Sequence, residues 1–291
     1  MIRPVTVPRS SGTALWRVLG LALAWLALLP LGPAPSQAQA PTTAAAEVQA
    51  EAQTPPPLRV GATLLNMPWE FYNAAGDIIG FEADLVRAIG DQLGRPVEIT
   101  NLRFGELFGA VQEGRVDIAI SSLSITPERL KGFDFTQPYY RTTQAVAVMR
   151  RSPIRSLGDL KDRRVSVIAQ TTSDQWVSAN RAQYRIGDVR HVRTLDEGLA
   201  ALSRREVDAH IGDMPALLYR LLGRNDLAVV ARLGTEESYG LMLAKGSPLT
   251  EPVNAIVSRL KMDGTLARIH QTWFGSPPEP GSPVTQVLPR P

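Results

Sequence analysis

Residues 117–129 read Asp117-Ile118-Ala119-Ile120-Ser121-Ser122-Leu123-Ser124-Ile125-Thr126-Pro127-Glu128-Arg129. A buried strand predicted over Asp117–Ile120 ends in hydroxyls, with Ser121, Ser122 and Ser124 crowded just beyond it. Thr126 before Pro127 is the pattern of a helix N-cap with proline at the first helical position. Arg129 then falls in the first turn, where the helix dipole favours an anion over a cation. That placement makes sense if an anion docks there too. A guanidinium grips a carboxylate through two parallel hydrogen bonds, and nearby N–H groups add to such a site. A surface pairing of Arg129 with Glu128 or Asp134 accounts for the same residues, and the segment alone does not choose.

A second hydroxyl cluster, Gln170-Thr171-Thr172-Ser173, follows a predicted strand Val165–Ile168 and opens a helix. Ordinary capping explains one of these hydroxyls but not all three. Asp213 follows a predicted strand Val207–Ile211. It is equally placed to take a ligand ammonium or to cap a helix starting at Met214. The histidines are His191, His210 and His270. Of these, His210 alone lies near a strand end of this kind, and it reads as a partly exposed strand residue more readily than as a catalyst. The absence of cysteine excludes disulfides, thiolate metal sites and a cysteine nucleophile. No metal site and no cofactor motif is predicted.

Alternating strand and helix patterns must position these groups. Leu58–Leu64 is a short apolar strand, and Trp69–Phe81 a hairpin turning at Asn73-Ala74-Ala75-Gly76-Asp77. Leu85, Ile89 and Leu93 make a helical stripe over 82–94, ended by Gly94 with Pro96 beyond. Val97–Thr100 is a strand, and Phe104, Leu107, Phe108 and Val111 make a second stripe. Phe104, at its start, suits core packing and a cleft alike. A second series begins near 151, with strands at 165–168, 189–192, 207–211 and 227–230 and helices between them. A strand at 240–244 and one or two helices over 249–274, broken near Asp263-Gly264-Thr265, complete the pattern. The class is therefore α/β: two lobes, each a mainly parallel sheet flanked by helices, with ligands expected beyond the carboxyl ends of strands.

The chain has 291 residues and a formal net charge of +3. Residues 1–38 hold Arg3, Arg9 and Arg17 and no acid, so the remainder carries 28 basic and 28 acidic residues. Nucleic-acid binding has no support from that balance. The arginines precede a 12-residue apolar run, Val18–Leu29. As a helix this run spans only about 18 Å, too short for a hydrocarbon core of roughly 30 Å. With Ser36-Gln37-Ala38 it reads as a secretory signal peptide over 1–38. Residues 39–57 read as a disordered leader and 276–291 as a ragged, proline-rich tail.

Gly80-Phe81-Glu82-Ala83-Asp84-Leu85, with Ile89-Gly90 and Leu93, resembles the signature of family 3 extracellular solute-binding proteins, the polar amino-acid receptors of ABC importers. Ala83 departs from it, standing where a larger aliphatic residue or threonine is usual. Ser121–Arg129, Phe133–Tyr140, Ser156–Leu160, Asp263-Gly264-Thr265 and Trp273-Phe274-Gly275 are similar to further family segments, so the resemblance spans about 60–275. It implies a two-lobed Venus-flytrap fold with a two-strand hinge. Lobe 1 would be 58–148 plus 240–275, and lobe 2 would be 149–239. It also implies that Arg129 binds an α-carboxylate with help from Thr171 and Thr172. Asp213 would take the α-ammonium with Ser122 and Ser124 nearby, next to Ser121, while Phe104 and Trp69 flank the side chain. Thr63 stands where receptors for basic amino acids tend to carry an acid, and Asn66 where an aromatic is common, so a neutral or polar amino acid is expected. The implied partners are an amino acid or small organic acid and an inner-membrane ABC permease, with a monomer working in the periplasm. Rival readings are an accessory or sensor module for another envelope protein, and a cyclohexadienyl-dehydratase-like enzyme.

Overall fold

The computed structural model describes residues 55–291. The predicted signal peptide and all but the last residues of the predicted leader lie outside the described residues. In chain order the strands are β1 (Leu58–Ala62), β2 (Leu65–Asn66), β3 (Glu70–Tyr72), β4 (Ile78–Ile79), β5 (Val97–Asn101), β6 (Ile118–Ala119), β7 (Phe133–Phe135) and β8 (Tyr140–Thr142). They continue with β9 (Gln144–Met149), β10 (Val165–Ile168), β11 (Val189–Val192), β12 (Ala209–Asp213), β13 (Leu227–Arg232), β14 (Glu237–Tyr239) and β15 (Met242–Ala244).

Two five-stranded sheets carry the fold, ordered β5-β1-β6-β15-β7 and β11-β10-β12-β9-β13. Around β1 and around β10 the pairings are parallel. β15 in the first sheet and β9 in the second run the other way, each antiparallel to both neighbours. Both reversed strands follow closely on a passage between the lobes, with no crossover helix to restore direction. Each sheet is therefore mixed, with a larger antiparallel share than strand–helix alternation implies. The two passages pair with each other as a ribbon, Tyr140 opposite Tyr239 and Thr142 opposite Glu237.

β9 bonds only within the second sheet, so the first passage falls near residue 143 rather than 148. No local signal marks this point, because Arg141-Thr142-Thr143 leads into Gln144–Met149 without a glycine or proline. Elsewhere local signals match the elements. Helix Phe81–Leu93 ends at Gly94 in the left-handed region (φ 65°). The C-terminal helical run divides into Thr250–Met262 and Thr265–Phe274 at Gly264 (φ 76°).

Trp69, expected in the cleft, is a core residue. It is 0 % exposed, and its ring meets Phe81, Tyr140, Tyr239 and Phe274 edge-on at 4.8–5.5 Å. Its carbonyl accepts from Glu82 N at 2.8 Å, which ties the hairpin to the helix start and turns the indole inward. The tail is not ragged throughout. Val284 is buried in the first lobe's core. Leu288 N donates to Gln137 Oε1 (3.0 Å), and Lys261 Nζ donates to Gln286 O (3.0 Å).

Candidate functional site

A cavity between the lobes is lined from the first by Thr63, Asn66, Phe104, Ser121, Ser122, Ser124 and Arg129. The second lobe contributes Thr171, Thr172, Ser173, His210 and Asp213 among others. Eight of the nine site residues read from the sequence converge here, and Trp69 does not.

Thr126 caps helix Pro127–Gly132 by accepting from Arg129 N (3.2 Å), as its pattern predicts. The cap turns the Arg129 side chain into the cleft, where it is 7 % exposed. The surface-pair alternative does not hold: Glu128 pairs with Lys131, and Asp134 with Lys245 and Arg290. The guanidinium lies 5.7 Å from the Phe104 ring and 5.2 Å from Phe108. Phe104 thus lines the cleft and packs against the core at once. Among the described residues, the guanidinium's one hydrogen bond runs from Nη1 to Ser124 O (2.8 Å). Most of its five donors therefore have no partner among the described residues. Burial lowers its pKa from the ordinary arginine value, against the pull of Glu237 and Asp213.

Asp213 is the last residue of β12, which ends two residues later than predicted. It precedes helix Met214–Arg220 but makes no side-chain cap hydrogen bond, so the capping alternative falls away. Its Oδ2 accepts from Ser122 Oγ across the cleft (3.2 Å), and Gln144 Nε2 donates to Oδ1. Burial, and then the charge of Glu237, push its pKa up to about 6. Thr171 does act as the ordinary cap of helix Thr172–Asn180, accepting from Asp174 N (3.3 Å). Thr172 instead reaches out of the helix, and its Oγ1 donates to Glu237 Oε2 (2.9 Å). Ser124 Oγ, from the other lobe, donates to the same oxygen (2.5 Å).

Several groups escaped the sequence reading. Glu237 and Gln144 come from the passages and from β9, segments whose neighbours only the tertiary fold supplies. His210 is wholly buried rather than partly exposed, and burial lowers its pKa to about 4. From sequence, Glu82 stands only as part of the Gly80–Leu85 segment, with no role of its own. It is buried, and its carboxylate accepts from Ser121 N (2.9 Å) and Ser122 N (2.9 Å) and from the Tyr139 hydroxyl. Ser121 and Ser122 have φ of 129° and 46°, conformations that cost of order 1–3 kcal/mol each and persist where surrounding bonds dictate them. Glu82 supplies those bonds. Behind it, Glu70 Oε1 accepts from Ser121 Oγ (2.8 Å) and Asn66 Nδ2 (2.9 Å). Burial first, and then the Glu82 carboxylate, hold the pKa of Glu70 well above the usual carboxylate range.

The bacterial extracellular solute-binding proteins, family 3, match residues 58–276. The chain belongs to this family. The amino-acid-binding protein AabA of Dichelobacter nodosus is 28% identical over 213 residues, covering 72% of this chain and 84% of that protein. The ABC transporter arginine-binding protein 1 of Escherichia coli is 26% identical, covering 75% and 90%. Among solved structures, an ancestral arginine-binding protein bound to arginine superposes with a TM-score of 0.71 at 32% identity, covering 75% of this chain and 98% of that one. These likenesses agree with the two-lobed arrangement. Among the described residues no helix is long and apolar enough to cross a membrane, and no cluster of His, Cys, Asp and Glu could hold a metal.

Proposed function

We propose that this solute-binding protein captures a free amino acid between its lobes in the periplasm and presents it to an inner-membrane ABC permease. The observation that carries this reading is that opposite charges line one cavity from the two lobes. Arg129, from the first lobe, keeps free donors in a buried pocket, and Asp213 faces it from the second. A zwitterion answers both. Arg129 takes the α-carboxylate, with Thr171, Thr172 and Ser124 beside it. Asp213 takes the α-ammonium, helped by Ser122. Ser121 holds the turn that presents Ser122, and Phe104 flanks the ligand side chain.

A ligand contacting both lobes binds the closed state better than the open one and shifts the population toward closure. The closed form is what the permease reads. Asp213 is the lone carboxylate among the described lining residues, and on this reading it is spent on the α-ammonium. The side chain is therefore neutral or polar, although relatives are named for arginine. The protein acts as a monomeric receptor rather than an enzyme, since Arg129, Asp213 and the hydroxyls suffice to bind and none needs to turn over.

Calorimetric titration against the amino acids tests this. Truncating one partner of a buried charge pair costs on the order of 2–5 kcal/mol. Arg129→Ala therefore abolishes measurable binding while the melting temperature stays near wild type. Unchanged affinity in that variant sinks the site. Turnover of a small organic acid by the purified protein would favour the dehydratase reading instead.

A further inference from the structure

Amino-acid capture uses the carboxyl ends of the second sheet and leaves its opposite edge without a task. Three pairs of adjacent arginines lie in the loops of that edge. Arg150-Arg151 follow β9, Arg163-Arg164 precede β10, and Arg204-Arg205 come between helix Leu195–Ser203 and β12. Far apart in the chain, they meet because β9 runs antiparallel to β12, so its last residue lies beside the first of β12. All but Arg204 line one cavity of about 710 Å³. The strands separate it from the Asp213 end of the lobe by about 15 Å.

Two acids, Asp208 and Asp226, line the same cavity, so its wall has a surplus of three positive charges. Both acids are already engaged. Asp208 accepts from Arg164 Nε (3.2 Å) and Nη2 (2.9 Å), and Asp226 accepts from Arg224 Nε (3.0 Å) and Nη2 (2.6 Å). These guanidiniums hold both carboxyls below the usual range. Arg150 spends its Nε on Asn225 O (2.7 Å). Arg151 and Arg205 are exposed, and their side chains make no hydrogen bond or ion pair among the described residues. Like charges gathered on a concave wall repel one another, and an anion seated among them removes that cost. One carboxylate brings a single charge. A phosphoryl group brings close to two, with three acceptor oxygens that suit guanidinium forks.

We propose that this arginine-lined cavity is a second binding site, remote from the cleft, for a phosphate-bearing anion of two or more negative charges. Arg151 and Arg205 supply the uncommitted donors, and Arg150, Arg163 and Arg164 complete the positive wall. The anion is a phosphate free in solution or one carried on a lipid headgroup.

Calorimetry of the full chain against pyrophosphate, inorganic phosphate and acetate in metal-free buffer tests this. Pyrophosphate binds with a Kd below about 1 mM, tighter than inorganic phosphate, and acetate shows no binding. The affinity falls as ionic strength rises. The double variant Arg151→Gln/Arg205→Asn weakens pyrophosphate about tenfold or more, the worth of charge-assisted hydrogen bonds. Asparagine suits position 205, whose φ is 56°. The melting temperature and the amino-acid titration of this variant stay at wild-type values. Arg129→Ala leaves pyrophosphate binding intact, which separates this site from the cleft. Co-sedimentation with phosphatidylcholine vesicles separates the two sources. Capture that requires added phosphatidic acid and is lost in the double variant assigns a headgroup, and binding of pyrophosphate without such capture assigns a free phosphate. Absence of pyrophosphate binding, equal binding of acetate, an undiminished affinity in the double variant, or loss of pyrophosphate with Arg129→Ala overturns the proposal.

Discussion

Asp213 titrates within reach of ordinary buffers, and the sign of its effect differs for folding and for binding. Its pKa, pushed up to about 6 by burial and Glu237, lies above the ordinary carboxylate value. The stability it contributes to the ligand-free protein is therefore present below about pH 4 and is lost as pH rises through about 6. If Asp213 takes the ligand ammonium as proposed, binding runs the other way, because the ammonium favours the charged carboxylate and expels the proton. Affinity is flat above pH 7 and weakens toward about tenfold per pH unit below 6. Calorimetry from pH 5 to 8 measures this, and Asp213→Asn flattens the profile as well as weakening binding. Two buried carboxyls, Glu70 and Glu82, lie behind the site. Glu70, whose pKa burial and then the Glu82 carboxylate hold well above the usual carboxylate range, tolerates Glu70→Gln within about 1 kcal/mol, since an amide reproduces its shape and hydrogen-bonding capacity. Glu82→Gln costs about 3 kcal/mol or more in urea unfolding, because one amide oxygen cannot serve the Ser121 and Ser122 amides and Tyr139 together. Arg129 and its serines could be read from sequence, since cap, proline and arginine follow one another within four residues. Glu82, Glu237 and Gln144 could not, because their partners lie far along the chain.

Among the elements, boundaries set by glycine and proline were legible, and pairings were not. The stops at Gly94 and Gly264 and the Thr126-Pro127 start follow from backbone geometry that one residue imposes. Direction within the sheets depends on how the chain re-enters each lobe, which no local pattern records. The start of helix Phe81–Leu93 shows how tight such a junction is. Gly80 has φ of 136°, and a Cβ there would overlap the Trp69 carbonyl, itself bonded to Glu82 N. Gly80→Ala therefore costs about 3 kcal/mol or more, combining a forbidden backbone conformation with a clash against main chain. It also tilts the helix that carries Glu82, so ligand affinity falls with stability. Equilibrium urea unfolding and titration of the same variant read both losses. A variant with native stability would show that the hairpin can retreat.

For the molecule as a whole, two lobes were legible from two series of strand–helix units. The expected ragged tail concealed a strap. Val284 is 2 % exposed, and the backbone around it is pinned through Lys261 to Gln137 and Pro138, just before the ribbon that joins the lobes. Removing residues 283–291 loses about 2 kcal/mol of apolar burial. That lowers the melting temperature by roughly 4–8 °C in scanning calorimetry. A truncated chain that melts with the wild type would show that the strap contributes nothing.

The reversed strand β15 also orders events in time. It lies between β6 and β7, yet it is made after the whole of the second sheet. A chain emerging from its N-terminus must therefore hold a strand-wide gap in its first sheet while more than a hundred residues pass, from Phe135 to Met242. The second lobe, continuous from β9 to β13, can close during that interval. The wall that holds Arg129 is finished last, so the side of the cleft that carries Asp213 is complete before the side it faces.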